Sequence, residues 1–173
     1  VLVHQALYDG LTGLANRAQL LSRIDIAVAR CQRHSETSAV IFVDLDGFKP
    51  VNDQYGHAIG DRVLVEVARR LEHIATRGTD LVARLGGDEF VVLCEDTTSV
   101  EAQQIVGLIH SAIIKPIEIG ANAPLSVGVS VGVAIADNAN ASSHDLLRDA
   151  DAAMYTDKGS RDNRRSREIA HQL

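Results

Sequence analysis

The sequence predicts a mixed β-sheet covered by helices, an α/β or α+β layered domain. Three observations predict it. Ala39 to Leu45 is apolar on both faces, as a central strand covered on both sides would be. Val127, Val129, Val131, Val133 and Ile135 alternate with Ser126, Gly128, Ser130, Gly132 and Ala134, the period of a strand. The remaining apolar residues recur at helical spacing between these runs.

Taken in order, Val1 to Tyr8 reads as the end of an incoming linker helix. Asp9 to Arg17 is a glycine-marked turn in which Asp9 and Arg17 pair or bind backbone. Asn16 with Gln19 reads as a capping box, opening a helix that buries Leu20, Ile24, Ala27, Val28 and Cys31. After the strand, Phe48-Lys49-Pro50 opens a short helix packed through Val51 and Tyr55. Gly56 and Gly60 bracket a turn containing His57, and Asp61 opens a longer helix burying Val63, Leu64, Val67, Leu71 and Ile74.

Arg77 to Asp80 leads into two short strand-like runs around Gly86-Gly87, a β-hairpin, because paired glycines supply the positive φ a tight turn needs. Thr98 with Glu101 caps a helix facing inward through Ala102, Ile105, Val106, Ile109 and Ile113. Ile114 to Ile119 reads as an edge strand, since Pro116 cannot serve a central ladder. The small-residue face of the Val127–Ile135 strand allows close approach of a helix. That helix is capped by Ser142 or Ser143 and buries Leu146, Leu147, Ala150, Ala153 and Met154; a basic tail from Lys158 to Arg167 frays.

At 173 residues the chain is expected to be one domain, 1–173. It begins without Met inside a helical pattern, so it is expected to be cut from a longer signalling protein. Net charge is −6, which argues against nucleic acid or an anionic membrane as partner. No apolar run is long enough to cross a bilayer and no signal peptide is present, so a cytoplasmic location is expected, alone or as part of a membrane-anchored protein. Cys31 and Cys94 sit in apolar patterns and read as buried reduced thiols.

Chemistry concentrates at two acidic stretches. Asp88 and Glu89 sit at the hairpin turn, where adjacent carboxylates repel unless a cation or donor offsets them. A solvated acidic turn would need no further explanation. The second stretch, Asp44-Leu45-Asp46, ends the central strand, and the two converge if their strands are neighbours. Carboxylates, a backbone carbonyl and waters suit Mg²⁺ with substrate phosphates in its shell. Lys49 adds a cation, and the backbone N–H groups of Gly47 and Phe48 lie at a helix start. No P-loop, Gly-x-Gly-x-x-Gly or zinc-type spacing occurs.

Five stretches together resemble the GGDEF family of diguanylate cyclases. They are Asp9-Gly-Leu-Thr-Gly-Leu-Ala-Asn-Arg17, Asp44-Leu-Asp-Gly-Phe-Lys49, Asn52-Asp-Gln-Tyr-Gly-His-Ala-Ile-Gly-Asp61, Arg84-Leu-Gly-Gly-Asp-Glu-Phe90 and Ala150-Asp-Ala-Ala-Met-Tyr155. The resemblance implies a nucleotidyl-cyclase fold with a ferredoxin-like sheet, and synthesis of cyclic di-GMP from two GTP with release of pyrophosphate. It assigns Asp44, the Leu45 carbonyl and Asp88 to Mg²⁺, with Mn²⁺ as a substitute. Asp88, or alternatively Glu89, would help deprotonate the 3′-hydroxyl. Lys49 would stabilise the transferring phosphoryl group. Asn52 and Asp61 would read guanine, with Phe48 and His57 in the same substrate-binding set, and Lys158 would contact phosphates.

Arg77-Gly-Thr-Asp80 matches the family's inhibitory Arg-x-x-Asp motif and implies cyclic di-GMP as an inhibitor bound there. A cyclase needs two substrates held in line, so a homodimer is expected. Asp46 and Asp53 read as helix-start and turn residues, and Arg84 either ties down a carboxylate or touches substrate. Where the family often continues Lys-x-x-Gly-Arg-Asn, this chain reads Lys158-Gly-Ser-Arg-Asp-Asn163, with Arg161 and Asp162 in place of Gly and Arg. The alternative to an active cyclase is a non-catalytic module that binds GTP or cyclic di-GMP. Such degenerate relatives usually lose the acidic turn or the metal Asp; this chain keeps both.

Overall fold

The strand Ser38–Asp46 (β1) lies inside the sheet because nothing along it is polar between Ser38 and Asp44. The computed structural model describes residues 7–120, 123–137 and 142–171, with side chains only as far as residue 159 in the last of these. Val1 to Ala6, most of the expected linker helix, lie outside the described residues. Arg17–His34 (α1) precedes β1. Phe48–Tyr55 (α2) and His57–Ile74 (α3) follow, then Leu81–Gly86 (β2), Glu89–Cys94 (β3), Ser99–Ile113 (α4), Gly128–Ala136 (β4) and Ser143–His171 (α5).

The strands pair in the order β2-β3-β1-β4, antiparallel throughout. With α3 and α4 as crossovers this is the ferredoxin-like split βαβ arrangement expected from the resemblance. Alternation along β1 divides the core in two. Ile41, Val43 and Leu45 pack with Val63, Val67 and Leu71 of α3 and Ile109 and Ile113 of α4. Val40 and Phe42 pack with Leu20 and Ile24 of α1 and Leu146, Ala150 and Met154 of α5. Cys31 and Cys94 are free, buried thiols, and burial pushes Cys94 up to about 12.

The small face of β4 does admit a helix. A Cβ at Gly132 would strike the backbone of Ala150 and Met154, so α5 lies directly on the sheet. Thr98 and Glu101 form the complete capping box expected, and Ser142 Oγ accepts from Asp145 N at 3.1 Å. Asn16 is the N-cap expected, its Oδ1 accepting from Gln19 N at 3.1 Å, but the expected capping box is only half made, because Asn16 N donates to the Leu7 carbonyl at 2.8 Å instead of to Gln19.

Four expectations change. The long helix begins at His57, so Gly60 is helical rather than a turn marker; a Cβ there would land on Asn52 Oδ1, and its absence lets α2 pack against α3. Tyr55 is exposed. Ile114 to Ile119 forms no named strand; Ile117 makes one isolated bridge to Leu125 while Arg70 takes the carbonyls of Ala112, Ile113, Lys115 and Pro116. The segment from Lys158 onward continues α5 to His171.

Candidate active site

Antiparallel pairing of β1 with β3 sets Asp44 directly opposite Glu89. The next residue, Leu45, donates its N–H to the carbonyl of Asp88 at 3.3 Å. The two acidic stretches therefore meet, as they must if their strands are neighbours. The hairpin turn that presents them needs its glycines: Gly86 and Gly87 have φ of 140° and 52°, in the region that favours glycine.

Arg84 fixes that turn. Its Nε and Nη2 donate to the Gly87 carbonyl at 3.1 and 2.8 Å, and its Nη1 reaches both carboxylate oxygens of Asp9 at 3.1 Å. Asp9 also accepts from the amide and hydroxyl of Thr12. Burial works against its charge, but the Thr12 and Arg84 bonds outweigh burial and hold its carboxyl below the usual range. Asp9 is thus paired with Arg84 rather than Arg17, and of the two roles open to Arg84 the structure supplies the structural one.

The acidic cluster is short of positive charge. Burial, then the neighbouring Asp44, push the Asp88 carboxyl above its usual range, against the pull of Lys158 and Arg84. Burial, then Asp44, Asp151 and Asp88, push Glu89 up, against Arg17. Lys158, from α5, lies with Nζ 2.5 Å from Asp44 Oδ1. Asp46 is held separately, by a 2.8 Å hydrogen bond from Ser130 Oγ. Among the described residues no three His, Cys, Asp or Glu side chains are grouped so as to hold a metal ion by themselves. An open set of carboxylates and carbonyl oxygens is nonetheless the hard-ligand environment that a divalent cation sharing its shell with phosphates requires. The excess negative charge on Asp44, Asp88 and Glu89 fits such a cation.

The residues expected to read a base gather at the α2–α3 junction. Asn52 turns its side chain against Gly60, immediately before Asp61. Asn52 Oδ1 is buried and has no hydrogen-bond partner among the described residues. Phe48 anchors α2 in the core, whereas Lys49, His57 and Asp61 are exposed. The side chains of Arg161 and Asp162 lie outside the described residues.

Arg77 and Asp80 do not face one cavity. Arg77 lines a cleft of about 500 Å³ with Arg30, Glu95 and Glu101, and its Nη1 donates to the Asp96 carbonyl at 2.9 Å. Asp80 lines another of about 300 Å³ beside Tyr8 and Leu81. The two are linked through backbone: Arg77 N donates to Asp80 Oδ2 at 3.3 Å, and Asp80 N to the Arg77 carbonyl at 3.0 Å. Glu95, which no sequence motif marks, is buried just past the far end of β3 and bound by Arg23 at 2.9 Å and Arg30 at 2.6 Å. Its signal was a carboxylate ending an apolar strand without a glycine turn beside it.

Residues 6–164 match the family model described as "Diguanylate cyclase, GGDEF domain". The chain is 41% identical over 154 residues to the bifunctional diguanylate cyclase/cyclic di-GMP phosphodiesterase MucR of Pseudomonas aeruginosa, covering 89% of this chain and 22% of that protein. It is 42% identical to the diguanylate cyclase TpbB of the same species, over 98% of this chain and 38% of that protein. The chain therefore spans well under half of either relative. A structure of the GGDEF domain of TpbB superposes with a TM-score of 0.84 at 40% identity, covering 88% of this chain and 89% of that one. The coiled coil and GGDEF domain of DgcB from Caulobacter crescentus, in complex with c-di-GMP, superposes with a TM-score of 0.85 at 28% identity, covering 92% of this chain and 84% of that one.

Proposed function

The chain belongs to the GGDEF-domain family, and on that premise we propose that it is a diguanylate cyclase that joins two GTP into cyclic di-GMP. The observation that carries this reading is the cross-strand meeting of Asp44 with Glu89, with Asp88 beside them and too little positive charge to balance the three. Relatives named diguanylate cyclases support the reaction class.

In this reading Asp44, the Leu45 carbonyl and Asp88 hold Mg²⁺, or Mn²⁺ in its place. The bound metal would supply charge stabilisation for the phosphates. Asp88, or alternatively Glu89, takes the proton of a 3′-hydroxyl. The 3′-oxygen then bonds to the α-phosphorus of the second GTP as the bond to the β-phosphate oxygen breaks, and pyrophosphate leaves. A second such step closes the ring. Lys49 and Lys158 offset the developing phosphate charge. Asn52 and Asp61 select guanine, with Phe48 anchoring the helix beneath them and His57 at the rim. The unpartnered Asn52 Oδ1 supports this, because guanine offers N–H donors to a buried acceptor that would otherwise stay unsatisfied.

One metal site and one guanine site serve one GTP, so the active species is a homodimer with two hairpins face to face. Arg77, which lines an open cleft, and Asp80, which holds the Arg77 loop by accepting from the Arg77 amide, are the proposed site of product inhibition; the structure of DgcB in complex with c-di-GMP supports a product-binding role for the family. The test is incubation with Mg²⁺ and GTP, chromatography for cyclic di-GMP, and the initial rate per mole of protein over a dilution series. The expected result is product formation with a specific rate that rises with protein concentration and then saturates. Nucleotide binding without product would point to the non-catalytic module. A flat specific rate from a sedimenting monomer would rule out the dimer.

A further inference from the structure

Lys158 sits where a cation is wanted, and it is a residue of the chain itself. Its ammonium is 2.5 Å from Asp44 Oδ1, and Asp46 and Asp88 add to the negative field around it. The Asp44 side chain is only 11% exposed with the ammonium against it, which leaves little room for a second cation on the same carboxylate. Resting on the metal-site reading above, we propose that Lys158 and the divalent cation exchange on Asp44: the ammonium offsets the Asp44 charge before metal binds and leaves it when metal and nucleotide arrive together.

The surroundings fit an exchange that moves one side chain and no backbone. The helix carrying Lys158 is locked to the sheet by the close approach at Gly132, and the neighbouring Asp157 accepts from Val131 N at 3.2 Å. The Lys158 side chain itself is 38% exposed, so its ammonium has a path to solvent and to phosphates without passing through the core. A lysine ammonium is a compact charge on a four-carbon stem and can swing between a carboxylate and a phosphate, which a bidentate guanidinium would do less readily. The contact is also partly solvated, so it is weak enough to yield to a divalent charge. Nucleotide phosphates would draw the ammonium off Asp44 while the metal shares their oxygens. Metal alone has no such help and meets a positive charge already in place. Lys158 thereby makes metal binding depend on nucleotide binding.

The experiment titrates Mn²⁺ alone into the chain and follows free Mn²⁺ by electron paramagnetic resonance, then repeats the titration with a GTP analogue that cannot be cleaved at the α-phosphate. Lys158→Met and Lys158→Gln are compared with the parent, with and without Asp44→Asn, after thermal melting has confirmed that each is folded. Both Lys158 variants are expected to bind Mn²⁺ alone at least about tenfold more tightly than the parent, since a nearby like charge has been removed. Adding Asp44→Asn should erase that gain. If both Lys158 variants bind Mn²⁺ alone no better than the parent, while Asp44→Asn still weakens Mn²⁺ binding with the analogue present, the exchange is wrong and the metal site stands. If Asp44→Asn changes Mn²⁺ binding in neither titration, the metal-site reading fails and the exchange with it.

Discussion

The acids at the two ends of β3, one buried and the others half-buried, are handled in opposite ways. At the far end Glu95 is almost fully buried, and each of its carboxylate oxygens meets a guanidinium, Arg23 on one side and Arg30 on the other. Arg23 also donates to the Thr79 carbonyl, and Arg77 binds the Asp96 carbonyl, so charge there joins α1, the Arg77–Asp80 loop and the sheet. At the hairpin end Asp88 and Glu89 face Asp44, and Lys158 is the one cation hydrogen-bonded to any of the three among the described residues. Burial raises both hairpin carboxyls, and the negative charge of neighbouring carboxylates raises them further. A matched carboxylate holds a fold together; an unmatched, half-buried set is where a ligand's charge completes the balance.

If that contrast is right, substitutions at the two ends should have opposite signatures. The largest effect is expected at the hairpin end. Asp44→Asn or Asp88→Ala should lower cyclic di-GMP formation by on the order of 10³-fold or more, by chromatographic assay, with the far-ultraviolet circular dichroism spectrum unchanged. Near-parental turnover in either folded variant would remove that residue from the site.

At the far end the loss should be stability. Glu95→Gln keeps the shape but leaves Arg23 and Arg30 without their shared anion. Those guanidiniums are part exposed, so water takes up some of the loss, and a cost of about 2 kcal/mol is expected rather than the full penalty of a stranded buried charge. For a chain of this length that is a fall of roughly 4–8 °C in melting temperature. Activity per folded molecule should survive. A melting temperature equal to the parent's would mean that the Glu95 cluster is not the clamp described.

Much of this was legible in the sequence because it is local or periodic. The order of elements, the glycine turn at Gly86-Gly87, the apolar run of β1 and the small face of β4 follow from steric and solvation rules acting within a few residues. What was illegible depends on distant partners. Gly60 reads as a breaker by propensity, yet it lies inside α3, where Asn52 takes the space a side chain would fill. Pro116 suggests an edge strand, but the carbonyls such a strand would use are taken by Arg70, which Glu66 steers at 2.8 Å. Asp9 finds Arg84 rather than the nearer Arg17.

The smallest expected effect tests the contrast most directly. Asp88 has its folded carboxyl raised above the unfolded value, so folding favours its protonated form. Its contribution to stability is present at low pH and is lost as pH rises through the carboxylate range. Asp88→Asn removes that loss together with the charge. The measurement is thermal unfolding of parent and Asp88→Asn in chelator, at neutral pH and at roughly pH 3, where an ordinary carboxylate is mostly protonated. The account predicts a variant that melts above the parent at neutral pH, loses that advantage in acid, and makes no cyclic di-GMP when Mg²⁺ and GTP are added. A variant that melts below the parent at neutral pH and still makes product would contradict it, because Asp88 would then be a structural acid like Glu95.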